Sequence, residues 1–433
     1  MPHSRAWTAI LSTIPFLARS AFAAGLLACW ATICAGETAG TPCNPPAVAL
    51  EPSASRAVPV PPLAISVKRL LVAPLAIEGR EGHLDTIRRH YCELLPAYIE
   101  ALSYGQVRVE VALAPWIAMP RPLAEYRVRS FRIFELRKDS GPQRRLVTDA
   151  AYLLDERYDL SGFDGLMLAV GVDTSELGRA GYLFRSPTGF GRMRLPSGRF
   201  TPPTDVHTWN APLPSIAYAV PKMIAGYRDS KPVAPTLYDY AAQSTPGPFA
   251  YGNRFVGGSS NMQYISVHAG PWDILSQHGI HTPEGPVPQG MTSFTRLRLG
   301  WIPERAVATI LPGERRELLL SPLHAGSGET LAVRLPIAVD RYILVEARRQ
   351  QGVDRHLPAE GVLVLKVDES IPEGSGPVRV VDAHPEKPWF QAAPFRSGQT
   401  FRDAALGIAV SVLGEEGRAF RVVVDRTASV ARK

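Results

Sequence analysis

The sequence predicts an α+β protein in which an α/β region is followed by a β-sandwich. Apolar runs and helical repeats alternate between residues 65 and 170, and short strands dominate after residue 305. The 433-residue chain also contains 36 Gly and 40 Pro, and this content of turn-forming residues disfavours a helical bundle. Hydrophobic residues make up 45% and charged residues 20% of the chain, which excludes a disordered chain, a coiled coil and a polytopic membrane protein.

The α/β region begins with a buried strand, because residues 67–77 (VKRLLVAPLAI) form an apolar run. Residues 84–102 then carry apolar side chains at spacings of three and four, which predicts an amphipathic helix. A strand at 107–111, a helix at 146–158 and a central strand at 166–170 follow. This alternation of strands and helices is typical of an α/β layout.

Residues 171–262 are rich in Gly, Pro, Ser and Thr, which predicts a long loop region of the kind that often carries function. After Trp301 short strands take over. We predict them at residues 317–320, 330–335, 341–346, 361–367, 378–381, 408–412 and 420–424. The sequence therefore predicts one domain over residues 65–305 and a β-sandwich domain over 306–433.

Residues 1–36 predict an export signal. Their two apolar stretches are each shorter than the ~20 residues that span a bilayer. Residues 21–23 (AFA) have the form of a cleavage site, whereas residues 26–29 resemble a lipoprotein signal with Cys29 as the lipidated residue. We therefore expect a secreted or periplasmic protein that is either released or attached to the membrane by an N-terminal anchor or lipid. Residues 37–64 form a Pro-rich linker.

Two of the four cysteines, Cys29 and Cys34, lie in the export signal, which leaves Cys43 and Cys92. In an exported protein this pair favours one disulfide, which would tie the N-terminal tail to the first helix. Two unpaired thiols, with Cys92 buried on its helix, are the alternative.

Several function classes lack their sequence signatures. The net charge of +7 is spread along the chain without a dense Lys/Arg run, so we predict no nucleic-acid partner, although a mildly basic surface suits an anionic bacterial envelope. The phosphate-binding and dinucleotide-binding glycine motifs and the G-x-S-x-G nucleophile motif are absent. The zinc-protease motif H-E-x-x-H is absent too, because no His is followed directly by Glu.

Six segments, taken in order, nevertheless resemble secreted metallopeptidases of the immune inhibitor A type. They are residues 98–105 (YIEALSYG), 149–165, 237–240 (LYDY), 270–276 (GPWDILS), 297–302 (LRLGWI) and 346–368. Their shared order and spacing carry the resemblance, which covers most of residues 65–370. It implies a metzincin-like α/β domain before the β-sandwich.

In that family a zinc helix with H-E-x-x-H precedes the segment that LYDY resembles. Its two His bind Zn²⁺ together, and its Glu takes a proton from the metal-bound water. In this chain Tyr218 and Lys222 stand in place of the two His, and Ala219 stands in place of the Glu. A protonated Lys does not bind zinc, Ala is no base, and Pro221 breaks an interior helix. The resemblance therefore implies an inactive pseudopeptidase without a cofactor, which binds an extracellular peptide, protein or glycan.

Two alternatives stay open. His268, His278 and His281 cluster around the Trp272–Asp273 turn, and with Asp273 they suggest a relocated zinc site in an active peptidase. The simpler interpretation treats them as surface-loop histidines, like His207, and the turn as a structural feature with a buried indole and a carboxylate bonded to backbone N–H groups. The other alternative is a purely structural envelope protein.

Five tyrosines also suit either a sugar- or peptide-binding groove or ordinary core packing. They are Tyr227, Tyr238, Tyr240, Tyr251 and Tyr264.

Overall fold

The computed structural model describes residues 41–42, 65–126, 141–177, 182–186, 192–239, 268–276, 279–387 and 390–427. Helices and strands are both abundant in these ranges, so the predicted α+β class is confirmed. The predicted export signal with Cys29, and all of the predicted linker except residues 41–42, lie outside the described residues. None of the helices in these ranges combines the length and hydrophobicity that a membrane span requires.

The described part of the first half builds a mixed seven-stranded sheet. Its strands are β1 (Thr41–Pro42), β2 (Ser66–Ala76), β3 (Val107–Leu113), β4 (Ile117–Ala118), β5 (Gly165–Val170), β6 (Tyr182–Ser186) and β7 (Thr204–Thr208). The order is β1-β3-β2-β5-β7-β6, and β4 pairs with β2. Within the central part of this order, β3-β2-β5-β7, each strand is parallel to its neighbour. The outer strands β1 and β6 are antiparallel to β3 and β7. The parallel strands need crossover connections, which the helices supply.

Helices cover both faces of this sheet. They are α1 (Leu84–Ile87), which continues through a π-helical stretch (Arg88–Leu94) into α2 (Leu95–Leu102), then α3 (Leu123–Tyr126), α4 (Gly141–Asp155), α5 (Thr174–Leu177) and α6 (Leu213–Ala225). Leu70 and Val72 of β2 belong to the same hydrophobic cluster as α2 and α6, while Leu71 and Ala73 belong to the cluster of α4. Because alternate strand residues point to opposite faces, the central strands are apolar at successive positions.

The prediction that residues 171–262 form a long loop is wrong for part of that range. The buried strand β7 and the helix α6 both lie within it. Composition misled the prediction, because β7 (TDVHT) buries polar side chains and α6 contains Pro214 and Pro221. Pro214 occupies the first turn, where no helical N–H bond is lost, whereas Pro221 removes one interior bond. The helix forms nonetheless, because all residues from 214 to 223 are buried in the surrounding core.

Two short hairpins and a helix lead into the second half. They are β8 (Tyr227–Arg228) with β9 (Lys231–Pro232), β10 (Ile280–Thr282) with β11 (Gly285–Val287), and α7 (Ser293–Arg298). The strands that follow are β12 (Val307–Thr309), β13 (Arg315–Leu320), β14 (Ala332–Ala338), β15 (Arg341–Arg348), β16 (Gly361–Asp368), β17 (Val378–Val381), β18 (Thr400–Asp403), β19 (Ile408–Glu416) and β20 (Ala419–Asp425). The seven predicted strands are confirmed; β12 and β18 are short additions that the sequence pattern did not reveal.

These strands form two sheets, with the orders β12-β14-β15-β16-β17 and β13-β20-β19-β18. Val345 and Val364 from the first sheet and Val410 and Val422 from the second belong to one hydrophobic cluster. The two sheets therefore share a core.

The first of these sheets also packs against the first half of the chain. Leu344 and Leu365 point away from Val345 and Val364, and they belong to the cluster that contains α6 and Trp272. Residues from Ala39 onward form one compact unit. The domain boundary near residue 305 stays a prediction, and the core is continuous across it.

Candidate functional site

Helix α6 directs Tyr218 and Lys222 to one side, because residues four apart share a helical face. The helix ends at Gly226, whose φ of 62° is a conformation that glycine adopts without strain. The exposed fraction is 0% for Tyr218 and 7% for Lys222. The two residues predicted to replace the zinc-binding His therefore both lie inside the protein.

The Lys222 ammonium is held by acceptors from separate parts of the chain. Its Nζ donates to Thr236 Oγ1 at 2.9 Å, to the Ala234 carbonyl oxygen at 3.2 Å and to Glu373 Oε2 at 3.2 Å. The same Glu373 oxygen accepts the Thr236 backbone N–H at 3.2 Å. The Glu373 side chain is 31% exposed, so the ion pair lies at the edge of the buried region. An unpaired buried ammonium would cost on the order of several kcal/mol, which explains why these partners are needed.

Tyr218 belongs to the same network. Its hydroxyl oxygen lies 3.0 Å from Thr236 Oγ1, and its ring stacks on Tyr238 with centroids 6.4 Å apart and planes inclined by 16°. Lys222 Nζ lies 5.8 Å from the centroid of the Tyr218 ring, within the range of a cation–π contact. We call Tyr218, Lys222, Thr236, Tyr238 and Glu373 the lysine cluster.

The lysine cluster pairs the Lys222 ammonium with Glu373 and does not offer a metal site at Lys222. A protonated lysine supplies three N–H donors and no lone pair, so it cannot coordinate a metal ion. Ala219 is fully buried and its methyl group can neither accept nor donate a proton. The arrangement can hold and orient neighbouring groups, but it lacks the side chains that activate a metal-bound water.

Two of the three histidines proposed as a relocated metal site are described. His268 Nε2 lies 3.2 Å from Asp239 Oδ2; burial lowers the pKa of His268 below 6.5, and the hydrogen bond to Asp239 opposes that shift. His281 is exposed on β10, and His278 lies outside the described residues. Within the described ranges, no three His, Cys, Asp or Glu side chains are grouped to hold a metal ion.

The interpretation of His207 as a loop histidine is wrong. His207 and Asp205 both lie in β7 and are fully buried. His207 Nε2 lies 3.3 Å from the Ser215 carbonyl oxygen in the first turn of α6 and 3.7 Å from Asp205 Oδ2. Tyr91, in the π-helical stretch before α2, also interacts with Asp205: burial and the Asp205 charge together raise the pKa of Tyr91. These polar groups join β7 to the start of α6 and so help to position the helix that carries Lys222.

The Trp272–Asp273 turn is buried and heavily hydrogen-bonded. The Trp272 indole N–H donates to the Phe390 carbonyl oxygen at 3.1 Å. One Asp273 oxygen accepts the Thr292 N–H at 2.8 Å and the hydroxyls of Thr292 and Thr295, each at 2.7 Å. Burial raises the pKa of Asp273, and these hydrogen bonds oppose the shift. The carboxylate thus connects the turn to the start of α7.

Cys92 lies in the π-helical stretch and is disulfide-bonded. Cys43, its predicted partner, lies outside the described residues. Next to Cys43 in the chain, β1 pairs with β3 through Thr41 and Leu113, so the N-terminal segment is joined to the sheet at this point.

Sequence reasoning found the helical members of the lysine cluster and missed Glu373. That residue lies 151 positions from Lys222, and no local pattern connects the two. Of the five tyrosines suggested for a groove, Tyr238 is buried in the cluster and Tyr227 is 51% exposed. The other three lie outside the described residues.

Neither a protein-family model nor a curated protein matches this chain. The residues of the lysine cluster are mostly buried and are joined to one another by hydrogen bonds, one ion pair and stacked aromatic rings.

Proposed function

We propose that the protein is an exported pseudopeptidase of the immune inhibitor A type, which binds an extracellular peptide, protein or glycan and does not cleave it. The observation that carries the proposal is the buried, fully hydrogen-bonded ammonium of Lys222. The resemblance implies a zinc-binding His at that position.

The geometry of α6 supports a retained frame with altered side chains. Tyr218 and Lys222 keep the four-residue spacing and the shared face that two zinc-binding His would need. In the family a zinc ion places positive charge on that helical face, whereas in this chain the Lys222 ammonium does. Because the three protons of Lys222 are directed to Thr236, Ala234 and Glu373, the position is committed to a structural network.

The sheet arrangement supports a metzincin-like domain followed by a β-sandwich. In the first half, a mixed sheet has helices on both faces and α6 follows β7 directly. In the second half, two sheets of mainly antiparallel strands share one hydrophobic core, which is the packing expected of a sandwich.

Strand β6 supports binding of an extended ligand. It stands last in the order of the described sheet and is antiparallel to β7. An edge strand offers backbone N–H and C=O groups to which a peptide can add as a further strand. The resulting contact needs no catalytic residue.

The disulfide at Cys92 supports export, because such bonds persist mainly in oxidising compartments outside the cytosol. The charge distribution supports a partner other than nucleic acid, since the excess of +7 is not gathered in one basic run. We therefore propose a secreted or periplasmic location, with attachment through Cys29 as one form of it.

Metal content and proteolysis test the loss of catalysis. Purified full-length protein is incubated with zinc, freed of excess metal and analysed for bound zinc, and casein digestion is followed with and without a chelator. We expect substoichiometric zinc and no chelator-sensitive digestion. Stoichiometric zinc together with chelator-sensitive digestion contradicts the proposal and favours a relocated site that includes His278.

Arrays of peptides and of cell-envelope glycans test the binding function. We expect saturable binding of at least one ligand class by the folded chain, lost after heat denaturation. A chain that binds neither class is better explained as a purely structural envelope protein.

A further inference from the structure

A groove of ≈ 870 Å³ lies beside the end of α6. Residues 222–227 line one side, and residues 199–203 with Arg192 line another. Leu160, Ser161, Phe163 and Asp164, before β5, complete it. Its volume falls within the roughly 300–1,000 Å³ that is typical of ligand pockets. Lys222 is shared with the lysine cluster, where its ammonium is already bonded.

A hydrogen-bonded turn holds one wall of this groove in place. The Thr201 N–H donates to the Met193 carbonyl oxygen at 2.9 Å, and the Met193 N–H donates to Thr201 Oγ1 at 3.0 Å. At the tip of the turn, Asp155 of α4 accepts the Ser197 N–H at 2.9 Å and the Ser197 hydroxyl at 2.8 Å. The wall is therefore formed before a ligand arrives, which reduces the ordering cost of binding.

Two arginines give the groove its cationic character. Arg192 is exposed and forms no ion pair with the residues that the structure describes. Arg199 pairs with Asp159 at 3.1 Å, but with side chains 48% and 58% exposed this pair is weak. Both guanidinium groups are thus accessible to a ligand anion, and their planar donor sets suit a carboxylate.

The nearby carboxylates are already engaged by the protein. Asp164, which lines the groove, accepts the Arg69 backbone N–H at 2.8 Å and pairs with Lys68 at 3.5 Å. Asp159 accepts the Ser161 N–H at 3.0 Å and its hydroxyl at 2.6 Å. A ligand therefore meets an excess of positive charge, which favours an anion.

The remaining lining includes several large apolar side chains. Phe200 and Tyr227 are each 51% exposed, an unusual exposure for such large rings. Phe163 lines the groove as well, and the Arg69 guanidinium lies 5.2 Å from the centroid of its ring. Leu160 and Met223 are buried behind them. These groups offer contact area to an apolar or aromatic side chain.

Two of the three side-chain hydroxyls that line the groove are engaged by the protein, which helps to separate the two ligand classes of the proposed function. The Ser161 hydroxyl is taken by Asp159, and Thr201 Oγ1 accepts the Met193 N–H. A glycan rich in hydroxyl groups would leave many of them without partners on an apolar surface. A ligand that joins one carboxylate to one apolar side chain matches the lining better.

We propose that this groove binds peptides that present an apolar, preferably aromatic, side chain beside a carboxylate group. The carboxylate pairs with Arg192 and Arg199, and the side chain packs between Phe200 and Tyr227. The carboxylate comes either from the peptide C-terminus or from an acidic side chain. This inference deepens the proposed binding function and rests on it.

Fluorescence anisotropy with the full-length protein tests the assignment. The probes are a short labelled peptide ending in Phe with a free carboxylate, its amidated form, and an amidated form with Asp before the Phe. A hyaluronan oligosaccharide serves as the acidic glycan. We expect binding of the first or third probe, or both, and binding of the neutral amide weaker by about tenfold or more. The stronger of the two acidic probes identifies the source of the carboxylate.

Variants locate the binding site. Arg192→Gln combined with Arg199→Gln should weaken peptide binding by about tenfold or more, and Phe200→Ala by several-fold. Arg341→Gln, which removes an exposed arginine from the second half of the chain, should change nothing. Because all the substituted side chains are exposed, unchanged circular dichroism serves as the folding control.

The outcomes separate this inference from the proposed function. Wild-type peptide affinity in the double arginine variant, or equal binding of the neutral amide, overturns the groove assignment alone. Binding of hyaluronan without any peptide overturns the peptide assignment and leaves a glycan-binding pseudopeptidase. Binding of neither class overturns both. Zinc-dependent digestion of casein overturns the pseudopeptidase, whatever the peptide results.

Discussion

Lys222 is the residue whose replacement tests the site most directly. Lys222→Met keeps an unbranched apolar stem and removes the charge, so Glu373 and Thr236 lose a hydrogen-bond donor. Breaking a buried ion pair costs roughly 3–5 kcal/mol, but water can replace part of the interaction because Glu373 is 31% exposed. We expect the free energy of unfolding to fall by about 2 kcal/mol in urea titrations followed by tryptophan fluorescence.

Lys366→Met is the matched control for this substitution. Lys366 Nζ pairs with Asp403 at 2.9 Å, with the lysine side chain 50% and the Asp403 side chain 14% exposed. Because the Lys366 ammonium is half exposed, water replaces most of its interaction with Asp403, so we expect a change below about 1 kcal/mol. Equal effects of the two substitutions would contradict the structural role assigned to the lysine cluster.

At the residue scale, the sequence predicted which side chains share a helical face, but it did not predict which distant residues they contact. The four-residue spacing of Tyr218 and Lys222 was enough to place them on one helical face. Glu373 could not be found in this way, because its contact with Lys222 depends on how a loop of the second half packs against the first. His207 was misjudged for a related reason: its alternating polar neighbours hid a strand that is buried on both faces.

At the scale of elements, the junction after β5 depends on a close approach of two backbone segments. A Cβ at Gly171 would lie 2.2 Å from the Arg80 carbonyl oxygen, and the Gly171 N–H also donates to the Leu75 carbonyl oxygen at 2.8 Å. Gly171→Ala therefore requires the backbone to shift. We expect a loss of about 2–3 kcal/mol in the free energy of unfolding, measured by urea titration.

Gly162→Ala provides the comparison for this element. A Cβ there would meet only the Arg69 guanidinium at 3.6 Å, an ordinary contact with a flexible side chain. We expect its unfolding free energy to stay within about 0.5 kcal/mol of the wild-type value. If Gly171→Ala is tolerated equally well, the close approach of Arg80 to the end of β5 is incorrect.

The elements that the sequence predicted carry an apolar run or an apolar repeat bounded by turn residues, whereas α6 shows no helical repeat. Strand β16 (GVLVLKVD) was predicted from its apolar run and the turn residues around it. Helix α6 is buried on every side over residues 214–223, so it lacks the polar face that gives a helix its periodic signal. Its two prolines then favoured a loop, and only the surrounding core stabilises it as a helix.

At the scale of the whole molecule, three partly buried histidines make stability depend on pH. Burial is the main cause that lowers the pKa of His90, His268 and His324 below 6.5. The unfolded chain therefore binds more protons than the folded chain below about pH 6.5, and acidification favours unfolding. The stability that depends on keeping these three histidines neutral is fully present above about pH 6.5. It is lost as the pH falls toward their folded-state pKa values. We expect the melting temperature to fall between about pH 7 and pH 5.

Substitutions separate these histidines from the carboxyl groups that titrate nearby. His324→Gln should reduce the dependence of the melting temperature on pH over this range, because one partly buried titrating group with a lowered pKa is removed. His281→Gln, which replaces an exposed side chain on β10, is the control for the substitution itself. The same pH profile in the wild type and in His324→Gln would show that carboxyl groups alone account for the acid sensitivity.

The two halves of the chain are stabilised together, and this coupling can be measured. Leu344 and Leu365 of the second half belong to the same core as α6, and the buried Arg348 guanidinium donates to the Trp272 carbonyl oxygen at 2.9 Å. A fragment ending at residue 305 loses these contacts and exposes apolar surface. We expect it to lack near-UV circular dichroism and to be digested rapidly by thermolysin. A fragment with native near-UV signals and cooperative unfolding would mean that the first half folds independently.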